Sequence, residues 1–226
     1  MNLKRIALII PHTDTTLETD FQNFLPDEYI LHTQRIWLDE VGEESEKRMV
    51  DENLPKGLKY LKGIAEYDGV VFGCTSASAV YGKEGLNRLE KYLSEEFNCK
   101  SISAFGAILE DLQKINVSSV GLITPYTESV NKFMIKSMGQ FNVNINFEAG
   151  LGLSDDCEIS KVKPEEIIGF IKKHSENIKK NCDALLISCT NFRAMEVREE
   201  IEAILGIKVI TSNYSICNWL THGDPY

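Results

Sequence analysis

Short apolar runs alternate with amphipathic stretches from one end of the chain to the other. Ile6 to Ile10, Val70 to Phe72 and Leu185 to Ile187 are unbroken apolar segments, the pattern of strands buried on both faces of a parallel sheet. The alternation predicts strands over 5–10, 28–34, 69–73, 100–104, 117–124, 141–147, 184–188 and 208–211. Between them lie helical patterns. One runs from Thr15 to about Phe24, where Pro26 ends it; another spans 83–97 with Leu86, Leu89, Leu93 and Phe97 on one face. Others end near Lys114 and Met138, one opens at Pro164 with Ile167, Ile171 and Ile178 on its buried stripe, one spans 191–205, and a last one passes through Trp219. The charged segment 43–62, interrupted by Pro55, reads as two helical pieces around a surface loop whose tip covers a cleft.

The pattern is duplicated. Asp68, Cys74 and Thr75 recur as Asp183, Cys189 and Thr190 at a constant offset of 115 residues, and Pro11-His12-Thr13-Asp14-Thr15 is echoed in character by Pro125-Tyr126-Thr127-Glu128-Ser129 at an offset of 114. Two independent segment types recurring in almost one register imply two α/β halves, 1–114 and 115–211, with the terminal helix of 212–226 packing back on the first.

Composition narrows the function. The chain has 226 residues, 26% of them charged and 43% hydrophobic, and a formal net charge of -10. Such a surface repels phosphate backbones and anionic lipid, so nucleic acid and membranes are poor partners. The apolar run at residues 6–10 is too short for a secretory core or a membrane span, which leads to the expectation of a cytoplasmic protein with reduced thiols. No CxxC pair or Cys/His cluster has the spacing of a zinc site, so no metal is expected, and the thiol chemistry considered below needs no cofactor.

Chemistry is then expected at the carboxyl ends of the strands, where ligands collect in open parallel sheets. Cys74 and Cys189 both fall there. The following helix is expected to lower each thiol's pKa, and two thiols on opposite walls of a cleft suit proton removal and return on opposite faces of a carbon, or addition to an activated double bond followed by rotation and elimination. Thr75-Ser76 and Thr190-Asn191 follow the thiols and offer groups that can hold a carboxylate, although helix capping accounts for each singly. His12 reads as a solvated turn residue and His174 as the edge of an apolar stripe. Cys99, Cys157, Cys182 and Cys217 lack the strand-end context and read as packing residues.

These motifs resemble the aspartate/glutamate racemase superfamily, within it the maleate cis-trans isomerase and arylmalonate decarboxylase branch. The resemblance rests on Ile6 to Glu18 with Pro11 and Thr15-Thr16, on Gly73-Cys74-Thr75-Ser76, on Gly121 to Thr127, on Ser188-Cys189-Thr190-Asn191-Phe192-Arg193 and on Thr211-Ser212-Asn213. It implies two flavodoxin-like halves with parallel sheets, related by a pseudo-twofold axis, with the active site in the cleft between them. It also implies a cofactor-independent enzyme acting on a small carboxylate, in which Cys74 is the nucleophile and Cys189 exchanges the proton. Tyr126, with Thr127 beside it, matches a carboxylate-holding loop, and Thr75, Ser76, Thr190 and Asn191 match substrate-orienting positions. Relatives of this kind are often homo-oligomers.

Two positions depart from the maleate isomerase pattern, Asp14 and Asp156 standing where asparagines are expected. An ionised aspartate cannot donate to a carboxylate, and two added negative charges oppose a dianion. Asp14 could instead receive a substrate ammonium or N–H group, assist Cys74, or cap the helix from Thr15. The match of the motifs around both cysteines and Tyr126 puts cis-trans isomerisation first, and Asp14 keeps an amino-acid or hydantoin racemase as alternative. An arylmalonate-type decarboxylase, which keeps only the cysteine equivalent to Cys189, and a non-catalytic small-molecule binding module remain as further alternatives.

Overall fold

The structure is a computed structural model that describes residues 3–222. The N-terminal half comprises β1 (Lys4–Pro11), α1 (Leu17–Phe24), β2 (Tyr29–Ile36), α2 (Glu43–Arg48), a π-helical turn (Met49–Asn53), α3 (Leu54–Leu58), β3 (Gly69–Phe72), α4 (Thr75–Ala79), α5 (Gly82–Phe97), β4 (Lys100–Ser103) and α6 (Ala104–Ile115). The C-terminal half comprises β5 (Val120–Tyr126), α7 (Glu128–Gly139), β6 (Ile145–Leu153), α8 (Asp156–Ile159), α9 (Pro164–Asn181), β7 (Ala184–Ile187), a 3-10 turn (Met195–Val197), α10 (Arg198–Leu205) and β8 (Lys208–Thr211). α11 (Ser212–His222) packs against α6 and α1.

Each half holds a four-stranded parallel sheet, ordered β2-β1-β3-β4 in one and β6-β5-β7-β8 in the other. The identical order explains the sequence offsets. Asp68 accepts from the Arg5 backbone N–H at 2.7 Å, and Asp183 accepts from the Ser119 N–H at 3.1 Å, so the two aspartates lock the starts of equivalent strand pairs. At the other end Gly73 donates to Ile9 and Ser188 to Ile123, delivering Cys74 and Cys189 to matching places.

Strand alternation divides the core. Ile6, Leu8 and Ile10 face α1 and α11 in one apolar cluster, whereas Ala7 and Ile9 belong to a larger cluster continuous with the second sheet. β3 and β7 are buried throughout, as their apolar runs require. The predicted helical stripes are seated as expected: Leu86, Leu89, Leu93, Ile167, Ile171 and Ile178 are all buried.

Several elements differ from the sequence reading. Residues 43–58 form a continuous helical path through the π turn, with no surface loop between two pieces. Pro55 sits in the first turn of α3, where its missing N–H costs nothing, and Met49, Leu54 and Leu58 bury the segment. The strand expected over 141–147 runs instead from Ile145 to Leu153, because residues 139–143 close a turn that includes Asn142 in the left-handed region. The helix expected from Asn191 starts at Arg198 after irregular turns, since the Asn191 side chain is spent on bonds to other segments. α4, a short helix directly after Cys74, was not anticipated from its small residues.

Candidate active site

Cys74 and Cys189 leave adjacent sheets toward a common cleft, and each keeps 5% of its surface accessible. The two motifs are tied together across it. Thr75 Oγ1 donates to Ser212 Oγ at 3.0 Å, Ser212 Oγ accepts from the Cys189 N–H at 3.1 Å, and Thr190 Oγ1 donates to the Gly73 carbonyl at 3.2 Å. Gly73 has no freedom to be larger: a Cβ there would lie 2.4 Å from Leu17 Cδ2 and 2.9 Å from Ile10 Cγ2. The residue before the first thiol is thus set by the packing of α1 on β1.

Tyr126 links the thiols. Its phenol is buried and within hydrogen-bonding reach of Cys189, and a charge on Cys189, Cys74 or Glu46 would raise its pKa, which burial already holds well above its ordinary value. The ring is aimed by an irregularity. The β5 register against β6 shifts between Thr124 and Tyr126, and Gly150 lies so close beneath that a Cβ would sit 2.4 Å from the Tyr126 carbonyl.

The thiols are not activated in the way the sequence implies. Burial pushes Cys74 well above its ordinary pKa, Glu46 and Asp156 add to the rise, and the Ala77 N–H and Ser76 hydroxyl pull back only in part. Cys189 is likewise raised by burial and by Asp156, against donation from Tyr126 and the Asn191 N–H. A five-residue α4 and a non-helical turn after Cys189 supply too little helix dipole to offset desolvation.

Asp14 caps α1 with one oxygen and leaves the other over. Oδ1 accepts from the Thr16 and Leu17 N–H groups, both at 2.9 Å, which caps α1, while Oδ2 is buried with no partner. Burial raises its carboxyl to about 7 despite those bonds, with Asp156 contributing and the Thr190 hydroxyl opposing. Its electrostatic neighbour is Cys189 rather than Cys74. Asp156, at the start of α8, is nearly buried, accepts from the Thr13 hydroxyl and lies within range of both thiols. It therefore belongs to the cleft.

Other predicted site residues divide. Ser76 approaches Cys74, with Oγ to Sγ at 4.0 Å. Asn191 accepts from the Thr15 N–H through Oδ1 and donates through Nδ2 to the Asp156 and Thr13 carbonyls, so its side chain pins the loop of residues 13–15 to α8. Thr127 stands apart, its hydroxyl paired with Ser129 at the exposed start of α7. His12 is not freely solvated: its ring stacks on Trp37 at 4.0 Å, and Nδ1 accepts from the Leu38 N–H. His174 packs against Phe147 and Phe170.

One residue of the cleft was missed. Glu46 in α2 is fully buried, and neither carboxyl oxygen completes a hydrogen bond. Burial raises it to about 8, with Ser76 easing its charge and Asp156 opposing it. A signal existed: the stripe of Leu58, Leu54 and Met49, carried back one turn, lands on Ser45 and Glu46. Among the described residues no group of His, Cys, Asp and Glu side chains could hold a metal ion, and no helix is long and apolar enough to cross a membrane.

Comparison with known proteins accords with this geometry. A sequence model of the arylmalonate decarboxylase family matches residues 6–221. Maleate isomerase from Geobacillus stearothermophilus is 22% identical over 92% of this chain and 86% of its own length, and that of Nocardia farcinica is 22% identical over 94% and 86%. Among solved structures, a mutant of the Nocardia farcinica maleate cis-trans isomerase with a covalently bound succinylcysteine intermediate superposes with a TM-score of 0.88, at 21% identity and covering 97% of this chain and 92% of that one. A liganded double mutant of arylmalonate decarboxylase gives 0.84 at 20% identity, covering 96% and 90%. The branch resemblance read from the motifs, and the two-halved parallel α/β fold, are borne out.

Proposed function

The chain belongs to the arylmalonate decarboxylase family, and from that premise we propose that it is a cofactor-independent isomerase of small unsaturated carboxylates working through Cys74 and Cys189. The observation that carries this reading is that one buried phenol, Tyr126, lies within electrostatic reach of both thiols. In the forward step the Cys74 thiolate forms a C–S bond to one alkene carbon. The π electrons move to the neighbouring carbon, which takes a proton from Cys189. Rotation about the new single bond, return of a proton to Cys189 and loss of the Cys74 thiolate give the trans product and restore the enzyme. Thiol addition to maleate would produce a succinyl-cysteine, the species named in the Nocardia structure.

Cys189 is suited to hold its proton until the adjacent carbon becomes basic, since burial and Asp156 keep it neutral. The Cys74 thiolate is a minor species at neutral pH for the same physical reason. A decarboxylase would need an apolar pocket to destabilise one carboxylate, whereas three buried carboxyls, Asp14, Glu46 and Asp156, stand close to the thiols here. The test is proton NMR in deuterated water with cis and trans enoates. The wild type should interconvert the isomers, and Cys74→Ser should not. Undiminished conversion by the serine variant would remove the two-thiol mechanism.

A further inference from the structure

Among the described residues Glu46 completes no hydrogen bond, and the Ser76 hydroxyl is the one donor near enough to ease its charge. The residues leading into α2 are fastened to the opposite half by the Val41 N–H, which donates to the Ser154 carbonyl at 2.9 Å, two residues from Asp156. α2 in turn packs on α4, the helix that follows Cys74. The Glu46 carboxyl is thereby fixed beside the first thiol with both oxygens buried and neither completing a hydrogen bond. Across the cleft, Asp14 Oδ2 is buried in the same unpartnered condition. Buried acceptors without donors are costly to keep, and native folds keep few of them.

Among the described residues the charged groups that act on these carboxyls and on the two thiols are mostly carboxyls; the exceptions are His12 beside Asp156 and Arg35, whose guanidinium is turned to the Asp14 backbone carbonyl and to Glu18. A second substrate carboxylate would add negative charge and could be met only by the protonated forms of these carboxyls, whereas an N–H group supplies a donor to either form. We propose that Glu46 is a specificity-determining residue that accepts a hydrogen bond from an N–H group on the substrate, so that the preferred substrate is a cis-enoate with one carboxylate and an amide or ammonium group at its other end rather than a dianion.

This rests on the reading of the cleft as a carboxylate site, and binding can be measured without turnover. Titration calorimetry with the full chain would compare maleate, its half-amide maleamate, and an ammonium-bearing enoate. The half-amide or the ammonium compound should bind at least tenfold more tightly than maleate, and whichever leads identifies the donor. In Glu46→Gln the preference should shrink by about tenfold, with maleate gaining. The wild-type ranking stands as evidence even if that variant does not fold. Equal or tighter binding of maleate by the wild type, an unchanged ranking in Glu46→Gln, or no binding by any of the three overturns the inference. Maleate both bound best and isomerised would overturn it while leaving the isomerase intact; half-amide binding without isomerisation would do the reverse.

Discussion

Replacing Glu46 with glutamine should change the pH dependence of stability more than stability itself. The unfolded chain ionises this carboxyl above about 4.5, whereas burial delays ionisation in the folded protein to about 8. The folded state therefore binds the extra proton. Its relative stability falls as pH rises through that window and levels off above it. At about 1.4 kcal/mol per pKa unit, the loss between pH 5.5 and pH 8.5 comes to about 3 kcal/mol. Glutamine is close in shape and does not titrate, so the cost of burying its amide is the same at both pH values and cancels. Urea unfolding of both proteins at the two pH values gives the number. Glu46→Gln should gain about 3 kcal/mol on the wild type between pH 5.5 and pH 8.5, while Asp14 and Asp156 titrate in both. A gap that stays constant with pH would mean that Glu46 ionises freely, and the buried carboxyl would have to be abandoned.

Other outcomes follow from the same geometry. Gly73→Ala should destabilise by about 1 to 3 kcal/mol, because its Cβ would meet Leu17 and Ile10 side chains inside van der Waals contact; thermal unfolding measures it. Thr190→Val removes the hydroxyl bonded to the Gly73 carbonyl and should cost about 1 kcal/mol in the same assay, with cooperative unfolding retained. Alkylation of Cys74 should be slow at pH 7 and still accelerating above pH 9, since burial and Glu46 hold the thiol up. Glu46→Gln should quicken it at pH 8, as followed by peptide mass spectrometry. Turnover that was flat between pH 7 and pH 9 would contradict the raised thiol.

The repeat was legible in the chain because Asp68 and Asp183 do the same work in each half, bonding the first-strand backbone, and the strand-end cysteines follow six residues later in both. Alternation placed β1, β3 and β7 for the same reason: strands buried on two faces admit only apolar side chains. Local patterns fail where a long-range bond decides. Asn191 looked like the start of a helix and a substrate contact, yet its amide is committed to Thr13, Thr15 and Asp156, far away in sequence. The thiol pKa was misjudged by weighing a helix end without the desolvation that only burial reveals. Glu46 was hidden among Glu43, Glu44 and Lys47, where a charged helix reads as solvated unless the apolar stripe of Met49, Leu54 and Leu58 is carried back into it.

The two-thiol account is tested most directly by mass mapping of a trapped adduct. Cys189→Ser, incubated with a cis-enoate that the wild type converts, should accumulate one molecule of substrate mass on the peptide carrying Cys74, because an adduct protonated by water has no thiolate left to take the proton back and release Cys74. Label found on another cysteine, or full turnover by that variant with no adduct, would contradict a mechanism in which the two sulfurs share one substrate.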